Sequence, residues 1–358
     1  MKILLIRLRL IGDVVFTTPV IRALKRAFPD ARLTYLVEEA AAPVVAGNPH
    51  LNDVIVVRRT RGLARIADDI ALGWQLRRRR FDVAVDLHGG PRSSWLAFAT
   101  GAEQRIGYDI HGRSWMYTRT VRRPRELRPR HSVVNQWDLL EAIDGWPGQA
   151  PDPLQDAVEM VADAAADARI ARRLEEAGIG ADDEVVVIHV SAGNPFRRWP
   201  EPAFARVVEG LAAANSHRRI ILSSGPSDRH AAARIAVAAR DALGPDRARR
   251  VVDFGDFNLS ELRALIARSR LFVGGDTGPL HIAATTATPV VGIYGPTLPV
   301  RSAPWRDGRI PTESVEVMGL PCRPCDQRVC EPGDFRCLTT LMPDDVTMAA
   351  ERALRPWG

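Results

Sequence analysis

A chain of 358 residues, 46% hydrophobic and 26% charged, has the composition of an ordinary globular protein and the length of two domains. It contains no run of about 18 apolar residues, so no membrane-spanning helix is expected; Arg7 and Arg9 also break the first apolar run too early for a signal peptide, and a cytoplasmic protein is expected. The charge is lopsided: residues 1–150 hold 24 Lys/Arg and 15 Asp/Glu, a net of +9, while the remainder holds 25 and 28, a net of −3.

In chain order, Ile3–Ile6, Leu33–Val37, Val54–Val57 and Val83–Leu87 read as buried parallel strands, with an amphipathic helix over Pro19–Phe28. The first strand runs into "RLRLIGDVV". Where a phosphate-binding α/β protein would offer a glycine-rich turn, this one has Gly12 and then Asp13, an anion that would repel phosphate. The segments "QLRRRR" (Gln75–Arg80) and "RTVRRPRELRPRH" (Arg119–His131) concentrate the positive charge. They fit either a solvated face or contact with a polyanion or an anionic membrane. They lack interleaved aromatics and any nucleic-acid motif, so nucleic acid is not an expected partner.

The stretch "GWPGQAPDP" (145–153) reads as a linker. After a helical segment at Val161–Ala177 the pattern restarts, with strands at Glu184–Val190, Arg219–Gly225, Ala248–Phe254, Arg270–Gly275 and Pro289–Gly295. The expected division is a first domain over 1–150 and a second over 151–342. A terminal helix over 343–358, opened by "PDD", could pack back on the first domain.

Ligands of doubly wound sheets sit beyond the C-terminal ends of the strands, so residues just past strands are the informative ones. Besides "LIGDVV" these are "HVSAGNPFRRWPE", with Ser191, Ala192, Gly193, Arg197 and Arg198; "LSSGPSD", with Gly225 and Asp228; and "FVGGDTGPLHIAA". In the last, Asp276 or Thr277 is placed to cap a helix, Gly278 permits close backbone approach, Pro279 suits a first turn, and His281 follows one turn in. The plain reading is a capped helix; the functional one is a diphosphate cradle, with Arg197 and Arg198 as cations.

Taken together and in order, these places resemble glycosyltransferase family 9, the heptosyltransferases of lipopolysaccharide core assembly. The resemblance runs through "IGDVVFTTPVIRALKRAFPDARLTYLV", "DLHGGPRSSWLA" with "RIGYD", "RRWPEPAF" and "VGGDTGPLHIAATTATPVVGIYGPT", nearly the whole chain. It implies a GT-B fold, two Rossmann-like doubly wound domains facing across a cleft, with the acceptor bound by the first and the nucleotide-sugar by the second. It also implies inverting, metal-independent transfer of a heptose from an ADP-activated donor to a hydroxyl of an anionic, lipid-linked glycan. Asp13 matches the family's general base, and no cofactor is required. The donor would meet Ser191, Ala192, Gly193, Arg197, Arg198, Gly225, Asp228, Asp276, Thr277, Gly278 and His281. The family often has Lys at the Arg197 position. For the acceptor the expected contacts are Gly12, Arg61, Arg92 and Arg105. Peripheral contact with the inner membrane is a further expectation, better suited to Arg77–Arg80 than acceptor binding is. Alternatives are a nucleotide-sugar epimerase of the same architecture or a non-catalytic nucleotide-binding protein. A nicotinamide-dependent dehydrogenase fits least, because no G-x-G-x-x-G follows a strand.

Cys322, Cys325, Cys330 and Cys337 form a C-x2-C-x4-C-x6-C cluster. A structural metal such as zinc, free or redox-active thiols, and disulfides all remain open, because the second pair lacks a C-x2-C spacing.

Overall fold

A computed structural model describes residues 1–58, 60, 62–122 and 129–356. It divides the chain into two units, Met1–Val161 and Ala162–Gly358.

The first unit is built on strands β1 (Lys2–Ile6), β2 (Arg32–Glu38), β3 (Asp53–Val57), β4 (Val83–Asp86), β5 (Gln104–Tyr108) and β6 (Arg119–Val121). They form one parallel sheet in the order β3-β2-β1-β4-β5-β6. Its helices are α1 (Ile11–Val15), α2 (Thr18–Ala27), α3 (Ala42–Val45), α4 (Gly62–Arg79), α5 (Pro91–Ala99) and α6 (Ser132–Leu140). Ile3 to Ile6 are fully buried, as a central strand covered on both faces must be, which is why the sequence shows an unbroken apolar run there. The sequence did not announce β5 or β6. Their residues, QRIGY and RTV, are polar where the strands lie toward the sheet's edge.

The second unit repeats the plan with β7 (Glu184–His189), β8 (Arg218–Ser223), β9 (Val251–Val252), β10 (Leu271–Gly275), β11 (Val290–Tyr294) and β12 (Thr312–Glu316), ordered β12-β11-β10-β7-β8-β9. Helices α7 (Ala164–Glu176), α8 (Glu201–Ala214), α9 (Arg229–Leu243), α10 (Pro245–Ala248), α11 (Leu259–Ala267), α12 (Gly278–Ala283), α13 (Pro299–Ser302), α14 (Arg336–Thr339) and α15 (Pro343–Leu354) complete it. In both sheets the first and fourth strands of the unit lie side by side and the chain winds outward from them in opposite directions. That is the topological switch point where doubly wound sheets bind ligands. Strand β12, TESVE, was missed because its half-exposed residues carry no apolar run.

Two details differ from the sequence reading. Residues after the proline-rich stretch stay with the first unit: Arg22 donates to the Gln155 carbonyl at 2.9 Å, Arg26 pairs with buried Asp156 at 2.8 Å, and Val158 and Met160 are buried. The terminal helix α15 belongs to the second unit. Its stripe of Val346, Ala349, Ala350 and Ala353 has i, i+3, i+4, i+7 spacing and joins that unit's core, where the helix lies against α8, β10, β11 and β12. No described helix is long and apolar enough to cross a membrane.

Candidate active site

The switch point of the first unit is made by the turns after β1 and β4. After β1, Leu10 takes a left-handed backbone with φ 69°, a conformation costing a non-glycine residue about 1–3 kcal/mol, and α1 opens directly behind it. Gly12 is buried in α1, and Asp13 stands in its first turn. No side chain caps this helix, so Asp13 is not a helix cap. Its carboxylate pairs with Arg7, whose Nη1 also donates to the Leu87 carbonyl at 2.5 Å. Burial opposes the charge on Arg7, but Asp13, with help from Tyr35 and Tyr108, outweighs it and holds the guanidinium above its ordinary pKa. The Asp13 side chain is 34% exposed, reachable by a substrate yet tethered from below.

On the other side of the switch point, Asp86 ends β4 fully buried. It accepts hydrogen bonds from the backbone of His88 at 2.9 Å and Gly89 at 3.0 Å, from Ser93 Oγ at 2.9 Å and from the Tyr117 hydroxyl at 2.7 Å. These bonds fix the "DLHGG" turn. Burial, together with the nearby charges of Arg7 and Arg9, pushes the His88 imidazole down to about 4, so it is neutral at physiological pH. Arg7, Arg9 and His88 were not singled out from the sequence. The available signal was the alternation "RLRL" directly beyond a strand, which reads as a mere interruption of an apolar run.

Of the expected acceptor cations, Arg92 and Arg105 are engaged by the protein itself. Arg61 lies outside the described residues. Arg92 is held between Asp69 at 2.7 Å and Glu38 at 3.1 Å, with little of its side chain exposed. Arg105 is the second residue of β5, in register with Ala84 near the start of β4, and so sits toward the sheet edge away from Asp13. It donates to the carbonyls of Met116 at 3.0 Å and Ala102 at 2.6 Å. The "RIGYD" segment has a structural reason for its glycine: a Cβ on Gly107 would fall 2.3 Å from the Tyr117 ring, which must cross there to reach Asp86.

The switch point of the second unit gathers the residues expected around the donor. After β7 come Ser191, Ala192 and Gly193, then Arg197 in a short 3-10 turn and Arg198. Ser191 donates to Asp228, which also pairs with Arg198 at 3.1 Å; Arg198 Nε donates to the Ala192 carbonyl at 3.1 Å. Gly225 closes on the same place, since a Cβ there would lie 3.2 Å from Ser191 Oγ. Arg197 donates from Nη1 to the Asp276 carbonyl at 2.7 Å and from Nε to Gln327 at 2.7 Å, two bonds that a planar fork makes at once and an ammonium would make differently. Buried Asp276 has Arg197 at 3.4 Å and His281 Nε2 at 3.3 Å. Burial opposes its charge, and His281, Arg197 and Thr297 together still hold its carboxyl below the usual range.

Helix α12 follows, with Thr277 at its N-cap position and Gly278 as its first residue. Neither Asp276 nor Thr277 caps it by side chain: the Asp276 carboxylate is taken by Arg197 and His281, and the Thr277 hydroxyl donates back to Gly275 at 3.3 Å. Sequence reasoning missed His189 and Ser223 beneath this site, joined Nδ1 to Oγ at 3.0 Å. Burial drives His189 down to about 4.

A sequence profile of glycosyltransferase family 9 (heptosyltransferase) matches residues 70–333, well over half of the chain. The protein belongs to glycosyltransferase family 9. Lipopolysaccharide heptosyltransferase 3 of Escherichia coli is 28% identical over 352 residues, covering 97% of each chain. Among solved structures, a family 9 glycosyltransferase from Veillonella parvula superimposes with a TM-score of 0.81 at 21% identity, covering 99% of this chain and 97% of that one. The E. coli ADP-heptose lipopolysaccharide heptosyltransferase II does so with a TM-score of 0.77 at 20% identity, covering 99% and 98%. The family 9 chain accordingly has the GT-B fold.

In this family 9 protein the four cysteines are free thiols. All four line one cavity of about 370 Å³ in the second unit, together with Phe196, Pro296 and Arg323. Among the described residues no group of three or more His, Cys, Asp or Glu side chains is arranged to hold a metal ion. Burial raises the Cys337 thiol above its ordinary pKa.

Proposed function

We propose that this family 9 glycosyltransferase transfers a heptose from ADP-heptose to a hydroxyl of a lipid-linked lipopolysaccharide-type acceptor, with inversion at the anomeric carbon. The observation that carries the reading is Asp13: an accessible carboxylate at the first unit's switch point, tethered by Arg7 beside a neutral His88. As general base, Asp13 takes the proton from the acceptor hydroxyl while that oxygen attacks the anomeric carbon from the face opposite the leaving diphosphate. Arg7 holds the carboxylate in place. Neutral His88 adds no further charge beside it.

The leaving group is a nucleoside diphosphate, whose charge must be met as the glycosidic bond breaks. Arg197, Arg198 and the uncapped start of α12 supply donors at the second unit's switch point, and in this reading they do so without a metal. Asp276, set by Arg197 and His281, is placed for donor hydroxyls, and Asp228 for the ribose. ADP-heptose is the donor named for one structural neighbour and lipopolysaccharide the substrate named for the curated relative; both come to this chain as part of the proposal.

The test is Asp13→Ala, assayed for ADP release with and without acceptor. Turnover should fall by about 10²–10⁴ while donor affinity holds. Turnover near wild type would remove Asp13 from the chemistry.

A further inference from the structure

Helix α4 turns a greasy stripe to solvent. Its inner face buries Leu72 and Leu76. Its outer face carries Ile66, Ile70 and Trp74, spaced four residues apart along one line and 57%, 49% and 66% exposed. Beside it, α5 presents Phe98, 40% exposed, packed edge-to-face on Trp115 at 5.2 Å; Trp115 is itself 64% exposed. Helices α4 and α5 approach closely at Gly73, where a Cβ would lie 2.8 Å from the Trp95 ring. The seam between them opens into two hollows of about 160 and 330 Å³, the smaller walled mainly by Ile70, Trp74 and Trp95 and the larger by Ile66, Ile70 and Trp95 with Arg65, Asp69 and Arg92 at its rim. Isolated exposed apolar residues need no explanation, but a run of three Trp/Ile side chains continued by two stacked aromatics does.

Cations frame this surface. Arg65 and Arg77 line the two hollows, and the Arg105 guanidinium sits 5.8 Å over the Phe98 ring. Of the two acids on α4, Asp69 is held by Arg92; Asp68 is exposed. Tryptophan and isoleucine flanked by arginine is the composition of surfaces that lie in a membrane interface, apolar side chains in the acyl boundary and guanidinium groups among headgroups. A second copy of the chain suits the surface less well, because a two-fold contact would bring two patches rimmed by the same arginines together. The stripe also begins where it would be useful: α4 follows β3 and α5 follows β4, so both helices start at the sheet edge that carries Asp13.

We propose that the α4–α5 face, centred on Ile70 and Trp74, docks the first unit onto an anionic lipid bilayer. The link to a lipid-linked acceptor rests on the function proposed above; the docking itself rests on the composition of the face.

The test is co-sedimentation with vesicles of phosphatidylethanolamine and phosphatidylglycerol, compared with phosphatidylcholine alone. Wild type should pellet with the anionic vesicles and be released by salt. The Ile70→Ser, Trp74→Ser double variant, altered only at exposed positions, should keep its melting temperature and lose about tenfold or more in partitioning. Wild-type binding by that variant overturns the proposal, as does failure of wild type to bind anionic vesicles at low salt. Dimerisation that the variant abolishes, without vesicle binding, also overturns it and gives the face to a second copy. Transfer to a deacylated, soluble acceptor separates this claim from the functional one: the double variant should transfer at the wild-type rate. If neither protein transfers, the functional reading fails while the vesicle result stands by itself.

Discussion

The two units wind their strands in the same order and load the resulting switch points with opposite chemistry. In the first, the turn after the leading strand presents one accessible acid above a buried arginine. In the second, the turn after the leading strand presents two arginines, each paired with an acid that is itself buried. Topology decides where a ligand can sit; which ligand is decided by a few residues in each turn. Removing a proton from an acceptor needs an accessible carboxylate, whereas holding a departing diphosphate needs donors set in advance, and in the proposed function the two demands fall on separate units.

The comparison breaks most visibly at the arginines. Replacing Arg197 and Arg198 together by alanine should lower kcat/KM for the donor by about 10²–10³, the cost of removing preorganised donors from developing charge. Acceptor KM should stay where it is. An unchanged donor profile would take both residues out of the site.

Arg92 sharpens the comparison from the other direction, because it looks like a ligand cation and is built as a strut. Arg92→Ala leaves largely buried Glu38 unpaired and Asp69 with only Arg65 at 3.7 Å, at a cost of about 3 kcal/mol in stability. The dependence of acceptor KM on salt should not change. Urea denaturation and a salt series on the same variant read both; a flattened salt slope with full stability would restore Arg92 to the acceptor.

Arg92 and Arg105 also show where the sequence stopped being legible. The central strands could be read because burial on both faces demands unbroken apolar runs. Asp13 and the "GGDTG" turn could be read because they stand directly after such runs. What an arginine touches was not legible: Arg92 answers to Glu38 at the end of β2, and Arg105 lies in β5, a strand next to the edge and too polar to be seen as one. Arg7 was hidden for the related reason that its partner Asp13 is brought back to it only by the left-handed turn at Leu10. Non-local pairing leaves no periodic trace.

The smallest expected effect concerns the buried histidines. His189 is pushed from 6.5 to about 4 chiefly by burial, so the unfolded chain binds its proton more readily than the folded one. Stability should therefore rise with pH between about 4 and 6.5 and level off above. His189→Gln, which can still bond Ser223, should remove a share of that slope worth about 2 kcal/mol at most near pH 5. Denaturation midpoints at neutral and mildly acidic pH would show it; an identical slope in the variant would mean His189 is not shielded from water.

The division of labour itself is tested most directly by calorimetric titration of ADP-heptose into wild type, Asp13→Ala and the Arg197→Ala, Arg198→Ala double variant. The account predicts that Asp13→Ala binds donor within about twofold of wild type while the double variant binds it tenfold or more weakly. Equal loss of donor affinity in the two variants would contradict it, because Asp13 would then belong to the donor site and not to the acceptor's.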